Sequence, residues 1–230
     1  MDAFRRWAHI PEKMFDVDLH QDEQVEFEGV LSLIRNMRDQ SSVNKALSHD
    51  ELLVFNRFGE KKPIFWCFNN WAEPYLFAYQ LDENQPLIAA QSPHGVEKSW
   101  VKKARYTEPL AKRYLESATQ LFNRQDFIYC GNCQGAPVVE SMCIQLSRQC
   151  GIFPQLITID YIAKRRYQGP ILMLFGSESP FNPFNYERDP LPYWKKRLKS
   201  FQWKHLHGPH GTYLKEPTIV LLKEIVSAHI

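Results

Sequence analysis

The stretch IYCGNCQGAP, residues 128–137, can be read in two incompatible ways. As C-x-x-C, Cys130 and Cys133 form a thiol redox pair or half of a zinc site; as G-x-C-x-G, Gly131 and Gly135 flank Cys133 on a sharp turn that exposes a nucleophile. A thiol-redox motif also lies between a strand and a helix, but its sheet is nearly complete soon afterwards. Here roughly 100 residues follow, carrying at least two more strand-helix units. Zinc fares worse, because a closed structural site needs four ligands and Cys143 and Cys150 supply no second C-x-x-C or nearby His.

The G-x-C-x-G reading has a mechanical rationale. A nucleophile projecting above a sheet sits on a strained strand-to-helix turn, and small residues two before and two after keep the neighbouring backbones from colliding. A thiol there also receives the partial positive charge of the helix N-terminus, which favours thiolate. Pro137 suits the first helical turn, where its missing N–H costs little. The competing bland reading is a tight turn with a buried cysteine.

Outward from the turn, the pattern becomes that of a strand-helix protein. LLVFNRF (52–58), PIFWCF (63–68), QPLIAAQ (85–91), DFIYC (126–130), QLITID (155–160), GPILMLF (169–175) and SFQWKHL (200–206) read as strands. EPYLFAYQL (73–81), TEPLAKRYLESATQLFNR (107–124), VVESMCIQLSRQ (138–149) and PTIVLLKEIVSA (217–228) read as helices; Thr107 is expected to open the second, with Pro109 in its first turn, and Gly151 to end the third. The apolar run at 63–68 suits a strand covered on both faces. Alternation of this kind implies a mainly parallel sheet flanked by helices on both faces. Before it, HQDEQVEFEGVLSLIRNMRDQ (20–40) sets Val30, Leu31, Leu33, Ile34 and Met37 on one side of a helix, and DQSSVNKALSHDE (39–51) reads as a linker. The division expected is residues 1–50 as a helical extension serving as lid or docking segment, and 51–230 as the α/β domain. There is no internal repeat.

Composition sets limits. Among 230 residues, 28 basic and 26 acidic side chains leave a formal charge of +2, too small and too dispersed to suggest nucleic acid. The first 15 residues lack the apolar core of a signal peptide, and no apolar run approaches the roughly 18 residues of a membrane span. Five cysteines at irregular spacing argue against a secreted disulfide framework. These features read as a soluble, cytoplasmic protein without membrane or nucleic-acid partners.

A nucleophile at Cys133 requires a base and an orienting acid, and the order nucleophile, Asp, His is present. Asp160 ends the strand QLITID, and chemistry in open parallel sheets gathers at the C-terminal strand ends. His210 stands in the Gly/Pro loop HLHGPHGTYLKEP between the last strand and last helix. Each has an ordinary alternative: Asp160 as a loop cap, with Glu178 or Asp189 as substitute acids; His210 as a loop histidine, with His207 as nearest rival. The three histidines of HLHGPH lack acidic companions and suggest no metal, and His94 in QSPHGVEK reads as a loop residue.

Over residues 52–228 the chain resembles the thioesterase domains of nonribosomal peptide and polyketide synthases, members of the α/β-hydrolase superfamily. The resemblance rests on LLVFNRFGEKKPIFWCFNNWAEPY, FIYCGNCQGAPVVESMCIQL, LITIDYI and HGPHGTYLKEPTIVLLKEI. It implies a catalytic triad of Cys133, Asp160 and His210, with the backbone N–H groups of Gln134 and Trp71 receiving the oxyanion. It further implies an acyl or peptidyl group delivered on the phosphopantetheine arm of a carrier protein, a small-molecule acyl acceptor, and no bound metal or organic cofactor. Two departures stand out. Many family members carry Ser where this chain has Cys133, and a thioester intermediate is open to amines as well as water, so hydrolysis, cyclisation and amide formation all fit. The family's lid usually follows the acid strand, yet only YIAKRRYQGP separates Asp160 from the next predicted strand, so a reduced lid is expected. Residues 1–50 and the loop SESPFNPFNYERDPLPYW are the candidates to cover the site, with Phe181, Phe184 and Tyr186 lining an acyl pocket or packing on the sheet.

Basic clusters at Lys102 and Lys103, Lys164 to Arg166, and Lys195 to Arg197 could dock an acidic carrier, although solvated faces look the same. The remaining rivals are a dienelactone-hydrolase-type Cys enzyme taking its acid from Glu178 or Asp189, a C-x-x-C redox protein, and a non-catalytic binding module on a hydrolase scaffold.

Overall fold

The computed structural model describes residues 21–41, 46–186 and 189–229. In chain order the elements are α1 (Gln21–Ser41), β1 (Leu47–His49), β2 (Leu52–Phe55), β3 (Ile64–Phe68), α2 (Glu73–Ala78), β4 (Leu87–Gln91), α3 (Trp100–Phe122) and β5 (Ile128–Asn132). They continue with α4 (Ala136–Cys150), β6 (Leu156–Ile159), β7 (Tyr167–Gly176), α5 (Leu191–Arg197), β8 (Leu198–Leu206) and α6 (Thr218–Ser227). The eight strands form one sheet in the order β1-β2-β4-β3-β5-β6-β7-β8. From β4 to β8 every pairing is parallel, whereas β1 and β2 run antiparallel at one edge.

Every residue of β3, β4, β5 and β6 is buried, as continuous apolar runs in a doubly covered parallel sheet require. Alternation in β3 sends Trp66 and Phe68 to one face, where the Trp66 ring packs 4.4 Å from Phe77 of α2, and Phe65 to the other, against Tyr114 of α3. Each such fully buried large side chain stabilises the fold by about 1.5–3 kcal/mol relative to exposure. The register aligns the C-terminal ends of β3, β5, β6 and β7, so the loops that follow them share one edge of the sheet.

Several elements differ from the sequence expectation. Helix α3 begins two turns before Thr107, capped by the Ser99 side chain, which accepts from the Lys102 N–H. Pro109 therefore lies inside the helix, where it forfeits one bond to the preceding turn. The stretch expected as a linker contains β1, and the aromatic loop contains α5, whose start is masked by its prolines. Helix α1 buries Phe27, Val30, Leu31 and Ile34 in the common core, but Leu33 points outward at 48% exposure. The same helix is joined to the domain by Arg35 to Glu51, Lys102 to Glu26 and Arg105 to Glu23. Residues 1–20 and 42–45 of the expected extension lie outside the described residues. Among the described residues no helix is long and apolar enough to cross a membrane.

Candidate active site

Strand β5 ends at Asn132, and the chain turns through Cys133 in the left-handed region, φ 47°, before α4 begins. A non-glycine residue there costs on the order of 1–3 kcal/mol and persists only where its surroundings fix it. Here the Cys133 N–H donates to the Ile159 carbonyl at 2.9 Å and the Gly135 N–H to the Asn132 carbonyl at 2.8 Å. The flanking glycines are required by close approach: a Cβ on Gly135 would lie 1.9 Å from the Cys67 carbonyl oxygen, and one on Gly131 would lie 2.7 Å from Val139. Cys133 is partly exposed, whereas Cys130 is fully enclosed within β5 and burial pushes its thiol well up. All five cysteines are free.

Asp160 follows β6, also in a left-handed conformation (φ 51°), and is 3% exposed. Its Oδ1 accepts from the Gly176 N–H at 3.0 Å, and its Oδ2 lies 2.7 Å from His210 Nδ1. This pairing engages Nδ1 with the carboxylate and leaves Nε2 as the ring nitrogen that can meet Cys133. Burial works against the imidazolium, but hydrogen bonds to Asp160 and Cys133, with the charges on both, prevail and raise His210 to about 10. The structure thus brings Cys133, His210 and Asp160 together from three loops at one edge of the sheet.

The alternatives are elsewhere. Glu178 is exposed, Asp189 accepts from the Leu191 N–H, and His207 is exposed with its carbonyl receiving Thr218. His94 borders Gln134 and Lys103; burial first, then the Lys103 charge, lowers its imidazole. Gln134 is 7% exposed beside Cys133. Trp71 is buried in the loop after β3, with its indole Nε1 donating to the Ile34 carbonyl of α1 at 3.2 Å. Of the three aromatic residues expected at an acyl pocket, Phe181 lies with its ring 4.6 Å from that of His210. Phe184 instead stacks on Trp203 at 4.0 Å, and the Tyr186 hydroxyl, at the surface, donates to the Pro180 carbonyl.

The basic clusters separate by position. Lys102 and Lys103 stand in the first turns of α3, after the C-terminal end of β4; Lys102 pairs with Glu26, and Lys103 lies over Trp100, 4.7 Å from its ring centroid. Arg197 donates to the Lys164 carbonyl, so the other two clusters adjoin, where β7 and β8 begin and opposite Cys133. Among the described residues no group of three or more His, Cys, Asp or Glu is arranged to hold a metal.

Sequence reasoning missed Glu73, Asn132 and Tyr213. Asn132, fully buried just before Cys133, accepts from Trp66 Nε1 and donates to the Glu73 carboxylate and the Tyr213 hydroxyl. The only local sign is its place inside the G-x-C-x-G turn.

No protein-family model matches the sequence, and no curated protein matches it. Solved structures do. The NocB thioesterase domain of the nocardicin cluster superposes with a TM-score of 0.61 at 11% identity, covering 77% of this chain and 97% of that one. The SrfTE thioesterase domain, described for cyclisation of the lipopeptide antibiotic surfactin, gives 0.55 at 12% identity over 77% and 94%. YbtT, a type II thioesterase of the yersiniabactin NRPS/PKS pathway, gives 0.55 at 12% identity over 74% and 94%. The chain therefore has the α/β-hydrolase fold seen in these thioesterases, a mainly parallel eight-stranded sheet flanked by helices.

Proposed function

We propose that the protein is a thioesterase or acyltransferase of natural-product type, taking an acyl or peptidyl group from a carrier-protein thioester through an acyl-Cys133 intermediate. The observation that carries this reading is the strained Cys133 within hydrogen-bonding reach of a histidine whose other nitrogen is held by Asp160. With the proton of the Cys133–His210 pair resting on the imidazole, Sγ attacks the thioester carbonyl. The developing oxyanion is received by the main-chain N–H groups of Gln134 and Trp71. Collapse expels the pantetheine sulfur, which takes the proton from His210, and leaves a thioester on Cys133. In the second half His210 accepts a proton from water, an internal nucleophile or an amine as that group attacks, and Cys133 departs. Asp160 keeps the imidazole oriented and stabilises its charged form.

A sulfur ester suits transfer to an amine as well as hydrolysis. Phe181, against His210, is the aromatic residue best situated to meet the acyl chain, and Lys102 and Lys103 are the basic pair on the carrier's side of the sheet. Neither a metal nor a bound organic cofactor takes part in this scheme, and the expected location is the cytoplasm. The test is release of free thiol from acyl-pantetheine thioesters of varied chain length, with and without added amines. Turnover by the wild type and none by Cys133→Ala is expected; equal rates in the two proteins would overturn the assignment.

A further inference from the structure

Three N–H groups from two separate segments converge on one carboxylate beside the nucleophile turn. Glu73, the first residue of α2, accepts on Oε2 from the Asn69 main-chain N–H at 2.9 Å and from Asn132 Nδ2 at 3.1 Å, and on Oε1 from Asn70 Nδ2 at 2.9 Å. Asn69 and Asn70 open the loop that carries Trp71; Asn132 immediately precedes Cys133. Asn132 uses its whole side chain, since Oδ1 accepts from Trp66 Nε1 at 2.9 Å and Nδ2 donates also to the Tyr213 hydroxyl at 3.1 Å. Tyr213 lies in the loop of His210, 6.2 Å from it between ring centroids. One network therefore ties together β3, the loop after it, the nucleophile turn and the histidine loop.

We propose that Glu73 is a positioning residue that sets the 69–71 loop against the Cys133 turn, so that main-chain N–H groups from both segments meet the same oxyanion. This rests on the acyl-transfer reading above and adds a residue to it. Donor counting explains why a carboxylate is needed. Two acceptor oxygens can serve three donors, whereas an amide would turn an NH2 group toward at least one of them. Burial raises the Glu73 carboxyl, and the bonds from Asn69, Asn132 and Asn70 together with the His210 charge act to keep it ionised. Loop placement matters in proportion to oxyanion stabilisation, because a donor displaced by a fraction of an ångström loses most of its effect in the transition state and little in substrate binding.

The test compares wild type, Glu73→Gln and Glu73→Asp in three measurements: thioester turnover, alkylation of Cys133 by iodoacetamide, and exchange of the Asn69 amide by NMR. Alkylation creates no oxyanion, so it reports the nucleophile alone. Glu73→Gln is expected to lower kcat by about 10- to 100-fold with KM and alkylation each within about threefold, and to speed Asn69 exchange. Glu73→Asp, which keeps both oxygens, is expected to recover part of kcat. Loss of alkylation in step with kcat would overturn the proposal, since Glu73 would then act on the thiol or on folding. Unchanged Asn69 exchange, or unchanged kcat, would overturn it as well. If the wild type cleaves no thioester but Glu73→Gln still releases the Asn69 amide with alkylation intact, the acyl-transfer reading falls and the clamp stands.

Discussion

Two polar clusters are built into this fold, and they differ in what they leave over. On the face of α4, Glu140 is 1% exposed and accepts from the Tyr161 hydroxyl and the Lys164 and Arg165 main-chain N–H groups. Arg165, 6% exposed, also reaches Glu108, which receives Ser141 and Gln145. No residue of that cluster takes a left-handed backbone, and the charges face one another. At the edge of the sheet, Asp160 and His210 are paired with equal care, but both Cys133 and Asp160 sit in left-handed backbone and the chain ends on a partly exposed thiol. Buried charge alone does not mark a site; strain and a partly exposed thiol distinguish the second cluster from the first.

The comparison can be broken from either side. Asp160→Asn should leave the fold intact and lower thioester turnover by about 10²- to 10⁴-fold, because the amide no longer fixes the imidazole tautomer. A loss of folding instead, seen by circular dichroism, would make Asp160 a structural residue like Glu140. Glu140→Ala should do the converse, destabilising by about 3–5 kcal/mol in denaturant melts by removing one carboxylate from Arg165 and the buried acceptor of the Tyr161 hydroxyl and two main-chain N–H groups, with turnover per folded molecule within about twofold. An inactive but stable Glu140→Ala protein would erase the distinction.

A smaller effect concerns pH. His210 is raised in the folded protein to about 10 from an ordinary value near 6.5, so its pairing contributes stability that is complete below pH 6.5, declines above it, and is lost as pH rises through about 10. The stability difference between wild type and His210→Gln should shrink across that window in melts at pH 6, 8 and 10; a constant difference would mean that the imidazole carries no held charge. The smallest effect belongs to Cys130→Ala, expected to cost about 1 kcal/mol of stability and to leave turnover unchanged. Loss of turnover there would return the chemistry to the C-x-x-C pair.

The sheet was legible because its strands are short apolar runs with helix patterns between them, and because glycine on both sides of Cys133 reports a close approach that the structure measures at Cys67 and Val139. What stayed hidden had misleading or distant causes. Pro109 reads as a helix start, yet the helix interior absorbs it once Ser99 supplies the cap. The short strand at Leu47–His49 is not apolar enough to stand out and forms by pairing with β2. Glu73 and Tyr213 meet Asn132 across 59 and 81 residues, and no local pattern announces such contacts.

Acylation of Cys133 is read most directly from the intact mass of the protein after brief exposure to an acyl-pantetheine thioester, in wild type, Cys133→Ala and Cys130→Ala. A single acyl adduct is expected on wild type and Cys130→Ala and none on Cys133→Ala. No adduct on any of them, with a reversible loss of two hydrogens on mild oxidation that needs both cysteines, would contradict it.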